Sequence, residues 1–588
     1  MKYLIYSFLT IMTFFNNIKI DFFSINFWIQ VFLIIILFVV FNKLYKNETI
    51  LKKDKWFYIF SVLFSIIMLV GNSFNHTSNF TYLYNGIGNI IFTIISFIGY
   101  FILFMYLFSY GYYFLKKKNI SKKAISLLDN HPFISTFIIL FLFYLIYMVA
   151  FYPAILSPDP SNQIKQFFGL ETKYLDSVIV TAPSVYFTNH HPIFHTLLLG
   201  GCIKLGLLFS NFNLGLFFYT LLQTITLISV LSYTICYMKK LNMSFVYRFF
   251  ILMFYALTPV FPLYAMSTVK DTFFTCFIIL YVIFLIDFIK NKNISVKKMI
   301  IFLFIVMFMI LFRNNGIHVF ILSFPFMLFV LKKNIKKILF ILSFGLIFNY
   351  TYINILLPYF HIPEGSIREM LSIPFQQTAR YVSKYEESIP DNEKEAIDKI
   401  LVYDTLKERY KPNISDPVKE KFNKYATNEE LKEYFIVWFK QFFKDPVVYI
   451  EATVENTYGY FYPNTSNWYI YYKYDSRLKD AGFDYSYNSL SNLRKVLSNY
   501  GRCFPFIPII GLTVNIGFNG MLLLFLLMLI LYEKKYKYIV IMLPSLTLLL
   551  ICVASPVNTY FRYAMPYIFL MPTLVSSIHC ILRKDDNL

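Results

Sequence analysis

Residues 133–151 read FISTFIILFLFYLIYMVAF, and this uncharged stretch decides the fold class. At 1.5 Å per residue, a helix of this length spans about 29 Å, which matches the ~30 Å hydrocarbon core of a bilayer. Further apolar runs occur at Trp28–Phe41, Phe273–Phe288 and Met521–Leu531. Because only closed backbone hydrogen bonding survives in lipid, these runs predict a bundle of transmembrane helices.

The composition supports the same class. The chain of 588 residues is 57% hydrophobic and 15% charged, whereas a soluble domain is nearer ~45–50% and ~25%. We therefore predict an all-α polytopic membrane protein with about 13–14 transmembrane helices, since each crossing needs ~20 residues. The expected location is the cell membrane, with many passes through the lipid bilayer.

The net charge of +21 is concentrated in short loops between the apolar runs. Basic loops of this kind are typical of the cytoplasmic side of a membrane, so we expect no nucleic-acid partner. Alternating the spans between them places both termini in the cytoplasm and residues 153–192, 313–316, 358–505 and 556–562 outside. The basic loops are Lys116–Lys123, Lys239–Lys240, Lys290–Lys298, Lys332–Lys337 and Glu533–Lys537.

The same pattern divides the chain into four parts. Residues 1–130 form an N-terminal transmembrane extension, and residues 131–357 form the predicted catalytic core, with external loops at 153–213 and 264–272. Residues 358–505 hold 21 of the 33 acidic residues, which predicts a soluble, mostly helical external domain. The C-terminal transmembrane helices follow at 506–588.

One stretch does not fit a simple alternation of spans. Two apolar segments, about 193–210 and 214–238, lie between the external loop and Lys239, although only one crossing is allowed. The first is interrupted by Gly200–Gly201, Lys204 and Gly206. We predict that it is an interfacial or re-entrant helix; the alternative is a loop whose weak charge bias gives the wrong side.

Two acidic residues on the outer loops are the candidate catalytic residues. Asp159 follows the quoted span in YPAILSPDPSNQ, residues 152–163, and Asp271 lies in STVKDT, residues 267–272. An ionisable residue at membrane depth or at its edge is a functional-site hypothesis by default. Either acid could instead cap the helix that follows it.

Four polar residues close to these acids in the sequence are candidate substrate-binding residues. They are Gln163, Lys270, and His190 and His191 of the Asn189–Pro192 element. A lysine at the membrane surface supplies a counter-charge for phosphate. The histidines could equally be ordinary interfacial residues.

Two arginines on the predicted outer side indicate an anion there, because cationic span ends are usually cytoplasmic. Arg313 belongs to the element Arg313-Asn314-Asn315-Gly316, and Arg562 lies where the last span begins. Asn and Gly are explained by a turn, whereas the arginine is not.

A tyrosine-rich segment of the external domain is the last candidate substrate-binding element. Tyr460 and Tyr462 lie in NTYGYFYP, residues 456–463, followed by the aromatic run Trp468–Tyr474. These rings could stack on sugars. An aromatic belt at the bilayer edge would look similar.

These elements, in this order, resemble the C-type superfamily of multi-pass membrane glycosyltransferases, which includes protein O-mannosyltransferases and the enzyme that adds aminoarabinose to lipid A. That superfamily has an acid in the first external loop, a His-Pro element in an interfacial helix, a second external acid and a late external domain. Asp159, His191-Pro192 and Asp271 follow that order. More narrowly, the chain resembles an uncharacterised group of bacterial membrane proteins within the superfamily, although Pro160 and Lys270 depart from the usual pattern.

The resemblance implies an enzyme that transfers a sugar from a polyprenyl-phosphate donor to an outer-face acceptor, which is a glycan, lipid or protein of the cell envelope. Asp159 would deprotonate or orient the acceptor hydroxyl, and Lys270, Arg313 and Arg562 would stabilise the departing phosphate. Asp271 would position the donor, or share a divalent cation with Asp159. Two alternatives remain, an O-antigen-polymerase or ligase-like enzyme and a lipid or polysaccharide transporter.

Overall fold

The computed structural model describes residues 1–13, 25–117, 129–179, 185–291, 294–465 and 477–583. Within these ranges the regular structure is helical, and only isolated bridges join loops, with no β-strand. The helices of seven or more residues are α1 Lys2–Met12, α2 Ile25–Lys46, α3 Lys55–Thr77, α4 Ile87–Lys116, α5 Pro132–Ala150, α6 Pro158–Phe167, α7 Ile193–Leu207, α8 Phe212–Lys240, α9 Phe245–Leu257, α10 Val260–Met266, α11 Asp271–Lys290, α12 Val296–Phe312, α13 Gly316–Val330, α14 Ile335–Thr351, α15 Ser372–Tyr385, α16 Asp391–Leu401, α17 Asn428–Lys444, α18 Pro446–Glu455, α19 Ser491–Cys503, α20 Ile516–Tyr532, α21 Ile539–Val553 and α22 Phe561–Arg583.

In the described part of the chain, nine helices are long and apolar enough to cross a membrane, or ten if α9 and α10 form one span bent by 51°. The bend falls at Pro259, whose ring cannot continue a helix. The protein is therefore an all-α polytopic membrane protein, as predicted. The number is below 13–14 because the apolar helices α1, α7, α13 and α20 are shorter than a full crossing.

Helix α7 corresponds to the segment predicted to lie in the interface. It has 15 residues, or about 22 Å at 1.5 Å per residue, and it packs back against α8. A helix of this length is too short for a full crossing, so only α8 has to cross between the loop that carries Asp159 and Lys239. Its placement in the membrane interface stays a prediction.

Helices α11 and α22 form the centre of the bundle. Most of their residues are buried, whereas hardly any residue of α2 is buried. They pack against each other, and α22 also contacts α20 and α21. A helix that is apolar on all sides and buried belongs to the interior of a membrane bundle, so the residues at the ends of α11 and α22 are held on a rigid support.

The predicted cytoplasmic loops lie together at one end of the bundle. Near the end of α11, the Asp287 carboxylate accepts a hydrogen bond from Lys240 Nζ at 2.6 Å and also pairs with Lys298. Lys116 Nζ lies 3.2 Å from Glu533 Oε1 at the ends of α4 and α20. The helices therefore run as the charge pattern indicated. The assignment of this end to the cytoplasm stays a prediction.

The region predicted as an external domain has two parts. Residues 372–455 form a helical unit with its own hydrophobic core, which includes Phe375 and Tyr449. Residues 477–505 pack on the bundle instead, where Tyr485 Oη donates to Ala154 O at 3.0 Å and Asn488 Nδ2 to Val149 O at 2.6 Å. The second part covers the end of α5, next to the loop that carries Asp159.

A close contact joins the N-terminal helices to the rest of the protein. A Cβ atom added at Gly71 on α3 would lie 2.3 Å from Tyr462 Cγ. We expect Gly71→Ala to lower the free energy of unfolding by about 1–3 kcal/mol, because the ring has to move out of a packed site. The measurement is thermal unfolding in detergent. Gly201→Ala on α7 is the matched control, because no atom lies within 4 Å of its added Cβ; equal unfolding midpoints for the two variants would contradict this prediction.

Candidate functional site

The two loops that carry the candidate acids are joined by backbone hydrogen bonds. Ile155 N donates to Met266 O at 2.8 Å, and Thr268 N donates to Ile155 O at 3.1 Å. Asp159 lies in the first turn of α6, and Asp271 is the first residue of α11. The loop contact thus brings two helix N-termini together, each with an acid in the first turn, where the helix dipole favours a negative charge.

Asp159 is a partly exposed carboxylate with several partners. Arg562 donates to its Oδ2 at 2.8 Å, and Tyr174 Oη donates to its Oδ1 at 2.9 Å. His191 Nε2 lies 3.6 Å from Oδ1. Burial opposes ionisation of this group, but the positive charge of Arg562, together with the nearby His191 ring and the charge of Lys270, outweighs it and holds the pKa of Asp159 well below its usual range. Asp159 is therefore ionised near neutral pH.

Asp271 is enclosed by the same arginine and by a second one. Arg313 NH1 lies 3.1 Å from its Oδ1, and Arg562 Nε lies 2.9 Å from its Oδ2. The Asp271 side chain is 0% exposed, compared with 28% for Asp159. Neither carboxylate oxygen of Asp271 is aligned for a hydrogen bond, so the contacts are ion pairs. Asp159 is therefore partly open to solvent, whereas Asp271 is enclosed behind its two arginines.

Aromatic rings hold the two guanidinium groups from the other side. The Arg313 guanidinium lies 5.1 Å from the Tyr563 ring centroid and 5.5 Å from that of Phe274. The Arg562 guanidinium lies 5.6 Å from the Tyr560 centroid. A cation over a desolvated ring gains about 2 kcal/mol, so these rings help to stabilise two buried positive charges.

The Arg313 loop shows why turn residues follow the arginine. Gly316 N donates to Arg313 O at 2.7 Å, and a Cβ at Gly316 would lie 2.3 Å from Met309 O. Only glycine fits this tight turn. Asn314 Nδ2 donates to Asn189 O at 3.0 Å, which ties the turn to the histidine loop.

Lys270 and the two histidines form the side of the cluster nearest Asp159. Lys270 Nζ lies 2.8 Å from His191 Nδ1, and His190 stacks on Tyr174 with 4.2 Å between ring centroids. Burial lowers the pKa of Lys270 to about 8 and that of His190 to about 4. Burial, with the adjacent charge of Lys270, also lowers the pKa of His191. Both histidines are therefore neutral near pH 7.

Gln163 lies in a buried hydrogen-bond network next to this cluster. Its Nε2 donates to Thr196 Oγ1 at 2.8 Å, and its Oε1 lies 3.0 Å from His195 Nδ1. His195 Nε2 lies 2.7 Å from Tyr219 Oη, which donates to Gln223 Oε1 at 3.0 Å. Gln223 Nε2 then reaches the carbonyl oxygens of Tyr264, Ala265 and Ser267. Through this network Gln163 is connected to the loop before Lys270; its role in substrate binding stays a prediction.

Sequence reasoning missed four residues of the site: Tyr174, His195, Tyr219 and Gln223. His195 and Gln223 carried a usable signal, because polar side chains inside apolar helices are expensive and face the protein interior. Tyr174 carried no such signal, since tyrosine is common throughout this chain, with 49 copies.

The tyrosines predicted to bind sugar lie against other elements. Tyr460 Oη donates to Val557 O at 2.8 Å and accepts from Tyr560 N at 3.3 Å, so it supports the loop that leads to Arg562. Tyr462 packs on α3. The predicted stacking run Trp468–Tyr474 lies outside the described residues.

The position predicted for a shared divalent cation is taken by a side chain. The Arg562 guanidinium lies between Asp159 and Asp271 and contacts both carboxylates. In the described ranges, no group of three or more His, Cys, Asp and Glu side chains is arranged to hold a metal ion. The residues present therefore fit an internal arginine bridge and do not fit a shared cation.

The structure thus brings together eight of the ten predicted site residues, all except Tyr460 and Tyr462.

Comparisons with known proteins place the chain in a family. No curated protein and no solved structure matches it. Residues 17–586, nearly the whole chain, match the model of a family of unknown function, DUF6020. The protein therefore belongs to this family.

Proposed function

We propose that the protein is a membrane glycosyltransferase that transfers a sugar from a polyprenyl-phosphate donor to an acceptor hydroxyl at the outer face of the cell membrane. One observation carries the proposal. At one end of the bundle, a partly exposed, ionised Asp159 lies in a single cluster with Arg562, Arg313 and Lys270. A carboxylate that can accept a proton lies beside cations that can hold a phosphate.

The chemistry follows from these groups. The acceptor oxygen attacks the anomeric carbon of the donor, and the bond between that carbon and the phosphate oxygen breaks. The phosphate leaves with the bonding electron pair and gains one negative charge. The hydroxyl proton passes to Asp159. Cations fixed in a poorly solvated site stabilise the growing phosphate charge without reorganising.

The low pKa of Asp159 sets the timing of proton transfer. A carboxylate that is paired with Arg562 is a weak base toward a neutral hydroxyl. The hydroxyl becomes acidic only as its oxygen bonds to the anomeric carbon, so the proton moves late in the reaction. Before that point, Asp159 orients the acceptor by accepting its hydrogen bond.

The proposal is tested with the purified protein in liposomes and a panel of polyprenyl-phosphate monosaccharides. Transfer or hydrolysis of one donor, with release of polyprenyl phosphate, is the expected result. Two outcomes would overturn the proposal: movement of an intact lipid-linked sugar across the bilayer without bond cleavage, or turnover only of a polysaccharide-diphosphate donor.

The pKa of Lys270 gives a pH prediction. With a pKa of about 8, Lys270 is protonated below that pH and loses its charge above it. We expect KM for the phosphate donor to rise as the pH increases through 8. A pH profile of KM checks this, and Lys270→Arg is the control because arginine stays charged. An alkaline rise of equal size in both proteins would contradict the assignment.

A further inference from the structure

The helical unit outside the bundle carries an exposed apolar surface, which we call the α17–α18 patch. On α17, Ile436 is 58% exposed, Phe439 54% and Phe443 78%. Positions i, i+3 and i+7 share one face of a helix. Val447 and Ile450 continue the patch on α18.

The opposite face of α17 already has its partners. Tyr434, Val437 and Gln441 are buried in the core of the unit, and Tyr434 Oη lies 2.8 Å from Thr378 Oγ1. The buried face alone packs α17 into the core of the unit, so the exposed apolar face does not contribute to that core. A contiguous apolar patch of this kind on a protein surface marks an interaction site.

The position of the patch identifies what covers it. Glu451, next to Ile450, accepts a hydrogen bond from Phe80 N at 3.0 Å, and Arg380 donates to Ser78 O at 2.8 Å. Ser78 and Phe80 belong to the segment that joins α3 and α4, and both of these helices are membrane spans by length and composition. This segment lies where the chain leaves the bilayer, so the patch begins at the level of the lipid surface.

The charges beside the patch fit the same partner. Lys432 is exposed and lies four residues before Ile436. Lys440 and Lys444 flank Phe443; each is about half exposed and pairs with the buried carboxylate of Glu393, so two lysines share one negative charge and the edge of the patch keeps a net positive charge. Helices with an apolar face edged by lysines lie in the interface of membranes and are attracted to anionic headgroups. Lysine also reaches from apolar surroundings to the headgroups.

We infer that the α17–α18 patch rests on the bilayer surface and anchors the helical unit over the end of the bundle that carries Asp159. The bundle holds the protein in the membrane; the patch sets the height and tilt of the unit. This inference does not depend on the proposed reaction.

The test is photolabelling of the wild-type protein, in nanodiscs that hold one copy each, by a lipid with a diazirine in its acyl chain. We expect adducts on peptides that cover residues 436–450, as on α2, whose exposed surface makes it the internal positive control. Residues 391–399 are the negative control, since Asp391 is fully exposed on the same unit. The variant Phe439→Asp/Phe443→Asp should reduce the labelling of 436–450 at least tenfold and leave that of α2 unchanged.

Two results would overturn the inference. The first is labelling of 436–450 at the level of 391–399 while α2 is labelled normally, which would show that the patch faces water or protein. The second is labelling that is lost in nanodiscs with two copies, together with cross-links between patches, which would assign the surface to a second copy of the chain.

Discussion

Replacing Asp159 by asparagine is expected to lower sugar transfer by about 10²–10⁴-fold, the range for loss of a general base. Asparagine keeps the size of the side chain but cannot take up the acceptor proton or pair with Arg562. The change should appear in kcat and leave the KM for the lipid donor within a few-fold, because in the proposed complex the donor phosphate contacts the cations and not Asp159. The measurement is the steady-state rate with the donor identified from the panel.

Asp287→Asn is the matched control for this experiment. Like Asp159, Asp287 is an aspartate held in ion pairs; its partners are Lys240 and Lys298, and it lies at the end of α11 opposite to Asp271. We expect this variant to keep its rate per folded molecule. Retained turnover in Asp159→Asn, or equal losses in both variants, would remove Asp159 from the chemistry.

The second large effect is on stability. Asp271→Asn is expected to lower the free energy of unfolding by about 3–5 kcal/mol, because removing one partner of a buried ion pair leaves the others uncompensated. Here Arg313 and Arg562 would both lose the carboxylate between them. Thermal unfolding in detergent measures the change, and turnover should fall as well because Arg562 is no longer held against Asp159.

A double-mutant cycle separates the ion pair from a general loss of packing. If Asp271 and Arg313 interact directly, the variant Asp271→Asn/Arg313→Gln should be more stable than the sum of the single changes predicts, by about 0.5–3 kcal/mol. Strict additivity would show that the two side chains are independent. It would then assign the effect of Asp271→Asn to Arg562 alone.

Much of the site could be predicted from the sequence because its charged residues stand at the ends of apolar segments, where charged residues are rare. An aspartate between prolines, a Lys-Asp pair at the mouth of an apolar helix and arginines at predicted outer span ends are costly in a membrane protein. Charged residues at such positions are stable when oppositely charged residues pair with them. Cost alone could identify Asp159, Lys270, Asp271, Arg313 and Arg562 as a group, although it could not say which of them pair.

The tyrosine prediction shows the limit of the same reasoning. Tyr460 and Tyr462 are buried against neighbouring elements, while Tyr174, which no feature of the sequence distinguishes, donates a hydrogen bond to Asp159. Tyrosine packs, stacks and donates hydrogen bonds with similar ease. Its type therefore does not predict its role, and only its neighbours do.

By itself, the sequence determined the class of the protein and showed that its unusual charges lie at the end of the bundle opposite to the basic loops. Hydrophobic length and the distribution of lysines are local properties, and the bilayer converts them directly into spans and sides. The tertiary structure alone decided that Arg562, 403 residues from Asp159 along the chain, bridges the two acids. That contact depends on the packing of α22 against α11, because long-range partners are set by how helix surfaces fit together and not by any local pattern.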